Sequence, residues 1–207
     1  MSTASLSISA GIGLSYIGLY TGYDKATKTL KSELVIDFFT LRRGWDWTLV
    51  EANKALSLTG LTTMLVSFLP LHLFGGLSKK VELRKELLLQ SMSMLWLHSC
   101  YSMYKFYGNS PKRILEDKPL KQASIFLGMC GQMTLIGGYW GFISKEALVA
   151  FATCFGVSHF YTYELDYKGI LQVRPSAYLP FPLAAAVCYF NGNAIGGWIC
   201  RSIFARN

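Results

Sequence analysis

Six long stretches of this chain contain no charged residue: 1–23, 55–78, 87–104, 122–144, 147–163 and 175–200. All 20 basic and 12 acidic residues lie between or after them. A helix with one wet face spreads charge along its length, because that face must be solvated. Expelling charge from whole segments of roughly 17–25 residues instead matches what a hydrocarbon core demands of a spanning helix. The pattern predicts an all-α, polytopic transmembrane helix bundle of five or six spans. Open sheet edges cannot stand in lipid, and no segment shows the alternation of barrel strands. No β-sheet is expected.

The chain has 207 residues, of which 52% are hydrophobic and 15% charged. That leaves room for a single integral membrane domain, 1–207, and no separate soluble one. The expected spans are about 5–23, 55–76, 87–107, 122–143, 147–163 and 177–200. The first is the least apolar. Gly11, Ser15, Gly18 and Gly22 fall on one face of it, and Gly18 with Gly22 forms a G-x-x-x-G pair. Residues 1–23 lack the basic flank of a signal peptide and the arginines of a presequence. Pro70 should bend the second span. Pro180 and Pro182 fall in the first turns of the last, where a missing backbone donor costs little.

Between the first two spans, residues 33–47 mix apolar side chains with charges, and Arg42 and Arg43 stand beside Trp45 and Trp47. Indole and guanidinium groups both settle at a headgroup boundary, so a short interfacial helix is expected there. The net charge of +8 resides in short loops. Membrane lipids are therefore the expected partner, other membrane subunits a further one, and nucleic acid is not expected. Loops 24–54, 105–121 and 164–174 hold 13 of the basic residues and the opposite side 7. The richer side should face the cytoplasm or an organelle's matrix, in an organelle or endomembrane location.

Glycines Gly137 and Gly141, and again Gly192 and Gly196, are spaced four apart, as faces that let helices approach closely, and Gly128, Gly131 and Gly138 add to that surface. The five cysteines sit in apolar stretches without metal-ligand spacing and read as small buried hydrophobes. No metal site is expected. Walker, zinc-protease, nucleophile-elbow and dinucleotide motifs are missing from the sequence, and no acidic residue falls mid-stretch.

The histidines carry what chemistry there is. His98 is the twelfth residue of its charge-free stretch and His159 the thirteenth of its own, on segments running in the same direction. At about 1.5 Å per residue they lie at nearly equal height, about 17–20 Å along. His72 runs the opposite way and falls outside this pair. Tyr101 and Lys105 share the face of His98, and Tyr163 follows His159 by four residues with Glu164 beyond. The candidate site is therefore His98, His159, Tyr101, Tyr163 and Glu164. Tyr101 and Tyr163 are the expected partners of the imidazoles. The simplest use of such a cluster is interhelical hydrogen bonding, with no cofactor. Axial ligation of haem by His98 and His159 is a lesser option.

Two functions fit. One is a non-catalytic accessory subunit or assembly factor of a larger membrane complex. The other is a small membrane enzyme or carrier handling a lipid or other apolar molecule at the His98/His159 cluster. A closed bundle would favour the first, and a cavity of a few hundred Å³ at the histidines the second.

Overall fold

The computed structural model of the chain describes residues 1–24, 27–70, 81–168 and 178–204, with the side chains of 163–168 and 204 outside that description. The described residues form eight α-helices: α1 Thr3–Tyr16, α2 Ser32–Phe39, α3 Trp45–Phe68, α4 Val81–Tyr107, α5 Pro111–Leu115, α6 Pro119–Tyr139, α7 Lys145–Lys168 and α8 Pro180–Phe204. Each expected helical segment coincides at least in part with a helix, and α4 and α7 run longer than their charge-free stretches.

Local chemistry sets the ends. The hydroxyl of Ser2 caps α1 by accepting from the Ser5 amide. Pro119 opens α6, where its missing N–H costs nothing. Ser144 accepts from the Ala147 amide at 3.2 Å to start α7. Pro70 terminates α3 rather than bending it. Leu69, directly before the proline, takes the extended ψ of 153° that proline imposes on its predecessor.

α3 is the central helix. Leu58, Leu61, Met64 and Leu65 are buried on it, and α1, α4, α7 and α8 all pack around it. Leu135 of α6, Ala152 of α7 and Val187 of α8 close the core. Polar side chains enter this core as well. Tyr16 and Thr62 share a hydrogen bond of 2.7 Å between α1 and α3, and Ser91 of α4 donates to the Gly60 carbonyl at 2.8 Å. Gln90 of α4 reaches Ser5 and Ser9 of α1.

The polytopic bundle of five or six spans is overturned. Among the described residues, one helix, Pro180–Ile203, is both long and apolar enough to cross a membrane. Lack of charge had stood in for hydropathy, and the two differ. α3 carries Asn53, Ser57, Thr59, Thr62, Thr63 and Ser67 within or beside its charge-free stretch, while α4 begins with Glu82, Arg84, Lys85 and Glu86. A bundle that can bury hydroxyls against its own carbonyls uses Ser and Thr where lipid-facing helices need Leu or Val. The multi-pass description goes with it, and α8 remains as the membrane-compatible element.

Three smaller expectations also change. A two-residue antiparallel ladder pairs Tyr23–Asp24 with Thr29–Leu30, so β-structure is not wholly missing. The surface helix over 33–47 divides into α2, a turn through Gly44 at φ +83°, and the first turn of α3. Arg43 bonds Asp37 at 3.0 Å and lies 5.2 Å from the Trp47 ring across that turn. Four of the five cysteines are exposed, with Cys130 alone half-buried.

The tight glycine contacts fall only partly where expected: Gly128 and Gly138 approach their neighbours closely, while the pairs Gly137 with Gly141 and Gly192 with Gly196 do not. A Cβ at Gly60 would come within 2.8 Å of Leu95, and one at Gly138 within 2.5 Å of Leu148. By contrast Gly137 has ordinary clearance, Gly141 sits at φ +75° in the turn after α6, and Gly192 and Gly196 face open space.

Candidate functional site

Two antiparallel hairpins build the site. In the first, Gly60 of α3 meets Leu95 of α4, and Asn53 meets His98 and Ser102. In the second, Gly138 of α6 meets Leu148 of α7, and Ser124 meets His159. Each hairpin is packed closely along its length. Between the hairpins contacts are sparse, and the gap is a cavity of about 370 Å³.

The cavity is graded from one end to the other. Lys54, Phe106, Asp117 and Lys121 line its mouth, with Phe106 exposed. Asn53, His98, Ser99, Ser102, Ser124 and His159 follow as a polar band. Leu58, Leu61, Met64, Leu135 and Ala152 form a buried apolar floor. Its volume falls within the range of about 300–1,000 Å³ typical of small-molecule sites.

The two imidazoles face one another across the band, with ring centroids 6.4 Å apart and planes at 68°. His98 Nδ1 stands 3.1 Å from the Asn53 carbonyl oxygen and 3.2 Å from its side-chain Oδ1. His159 Nδ1 stands 2.6 Å from the Ser124 carbonyl oxygen. A carbonyl only accepts, so each Nδ1 carries the proton and each neutral ring leaves Nε2 with a lone pair. Among the described residues neither Nε2 has a hydrogen-bond partner. Ser124 Oγ completes its side by donating to the His159 carbonyl at 3.1 Å.

Burial disfavours the imidazolium at both positions. It is the main reason the His98 pKa falls to about 4, with the nearby His159 contributing and the Asn53 carbonyl opposing. Burial lowers His159 too, against the Ser124 hydrogen bond. The site at neutral pH thus offers two uncharged electron-pair donors.

Of the sequence-derived candidates, His98 and His159 come together in one cavity. Tyr101 does not join them; its hydroxyl is buried without a hydrogen-bond partner among the described residues. Lys105 points away and pairs with Asp46 at 3.1 Å. Tyr163 and Glu164 belong to α7, but their side chains lie outside the described residues, as does His72. Asn53 and Ser124 hold the rings, and Tyr101 does not. Ser124, Gly128 and Gln132 recur every four residues on one face of α6, a polar stripe visible in the sequence. Gln132 bridges the hairpins by donating to Ser99 Oγ at 2.5 Å.

The fold and site together define a helical bundle with an internal, ligand-sized cavity at a histidine pair. No protein-family model matches the chain, and no curated protein or solved structure matches it either.

Proposed function

We propose that this chain binds a largely apolar small molecule between its two hairpins, as a carrier or small enzyme acting on a lipid-like compound. The observation that carries this reading is the graded cavity, with an apolar floor below two imidazoles whose Nε2 lone pairs meet no partner among the described residues. Leaving buried acceptors unmet is costly, so a ligand that satisfies them gains affinity at that point. The ligand should therefore set an electron-pair acceptor against the histidines, either a hydrogen-bond donor or a metal. Its apolar body would lie against Leu61, Met64 and Leu135.

The test is titration of the full chain, in mild detergent, with a fluorescent apolar probe. Saturable binding at one site per chain is expected, with loss in Leu135→Trp, whose larger side chain would occupy the cavity floor. Probe binding that is non-saturable, or unchanged in that variant, removes the reading.

The second reading, an accessory subunit of a larger membrane-associated complex, draws support from α6. Phe126, Met129 and Met133 stand exposed along one face of it, and α8 is apolar with little of its span buried. Purification in mild detergent, asking whether the chain runs alone or with partners, discriminates the two.

A further inference from the structure

We propose that the cavity is a haem site, with His98 and His159 as the two axial ligands of the iron; this rests on the ligand-cavity reading above and names its occupant. Imidazole nitrogens bind first-row metals at about 2.0–2.1 Å, so two rings trans across one metal stand with centroids about 6.3–6.5 Å apart, whereas adjacent tetrahedral corners bring them to about 5 Å. The observed separation is 6.4 Å. It fits the trans arrangement, which a planar macrocycle enforces by occupying the metal's other four positions.

Three further features agree. Each ring holds its Nδ1–H on a backbone carbonyl, that of Asn53 or Ser124, the outer hydrogen bond that fixes a metal-binding imidazole in its tautomer and orientation. A disc between His98 on α4 and His159 on α7 would turn its edges toward α3 and α6. On α6 the wall there includes Gly128, whose missing side chain lets the His159 ring stand where an axial ligand must. The cavity's polarity also matches a porphyrin standing on edge. Its apolar rim would rest among the buried leucines, while its two carboxylates would reach the mouth, where Lys54 of α3 and Lys121 of α6 stand. Glu51 holds the first lysine at 2.7 Å and Asp117 the second at 3.5 Å, and an ammonium with three donors has others to give.

The experiment is titration of the purified full chain with iron(III) protoporphyrin, followed by absorption spectroscopy of the oxidised and reduced forms. One haem per chain with a six-coordinate, low-spin spectrum is expected. His98→Ala and His159→Ala should each give a five-coordinate spectrum and at least tenfold weaker binding. His98→Met supplies a replacement ligand and should recover six-coordinate reduced haem with a raised midpoint potential, which a merely structural role for His98 would not produce. Should the alanine variants fail to fold, the wild-type spectrum decides alone: five-coordinate haem, or none bound, overturns the assignment. Six-coordinate spectra in both alanine variants mean adventitious haem only and overturn it as well. Saturable binding of the apolar probe without haem binding ends the haem proposal but leaves the cavity reading standing, whereas loss of both ends both.

Discussion

Gly128 leaves room for the imidazole of His159: a Cβ on this glycine would lie 2.9 Å from His159 Nδ1 and 3.1 Å from Cε1. The ring cannot yield freely, because Nδ1 is bonded to the Ser124 carbonyl one turn earlier on the same helix. Gly128→Ala should therefore displace the ring and destabilise the protein by about 1–3 kcal/mol, the usual cost of overpacking. Thermal unfolding and apolar-probe affinity should fall together. A variant with unchanged affinity would show that the position of the ring is immaterial to the cavity.

Acid should destabilise the fold through the same pair. An unfolded histidine titrates near ~6.5. The folded His98 resists protonation until about 4, and His159 is lowered in the same sense. In that interval the unfolded chain binds protons that the folded chain excludes, so stability is complete above about 6.5 and is lost as pH falls toward 4. The thermal midpoint should drop between pH 7 and pH 5, and less steeply in His98→Gln. Identical slopes in variant and wild type would mean that His98 is solvated.

Asn53 should control that titration. Its backbone and side-chain oxygens both face His98 Nδ1, and its Nδ2 donates to Ser102 at 2.9 Å. Asn53→Asp places a carboxylate beside the ring, and an adjacent opposite charge favours the imidazolium. The His98 pKa should rise toward its unfolded value, so the loss of stability between pH 7 and pH 5 should become shallower. Asn53→Ala should cost about 1 kcal/mol for the lost hydrogen bonds without that rise. NMR titration of the His98 ring separates the two.

The glycines divide into two classes with opposite outcomes. Gly60→Ala would put a methyl within 2.8 Å of Leu95 inside the first hairpin and should destabilise it. Gly192→Ala meets nothing within 4 Å and should stabilise α8 by about 0.5–1 kcal/mol through helix propensity alone. Thermal shifts of the same sign in both variants would contradict this division.

Much of this helical layout is legible in the sequence, while the number of membrane-compatible helices is not. Charge-free stretches located the six long helices because charges cluster where chains turn. They could not say that hydroxyls such as Ser91 and Thr62 would be met inside the bundle, by the Gly60 carbonyl and by Tyr16. The equal height of His98 and His159 followed from counting residues on parallel segments, and the cavity bears it out. Their partners did not follow, because a backbone carbonyl leaves no signature in residue type. Asn53 falls just outside its charge-free stretch, beside Lys54, where the charge pattern marks a loop. Tyr101 shares the face of His98 by spacing, yet it does not line the cavity, and its buried hydroxyl has no hydrogen-bond partner among the described residues.

The central claim is that two neutral imidazoles present unprotonated Nε2 atoms to an open ligand cavity. Nitrogen-15 NMR of the full chain labelled at histidine reads it most directly. At pH 7, His98 and His159 should both appear as Nδ1–H tautomers, and both Nε2 resonances should move together on saturation with an apolar probe. Nε2–H tautomers, or Nε2 resonances that ignore the ligand, would contradict the claim.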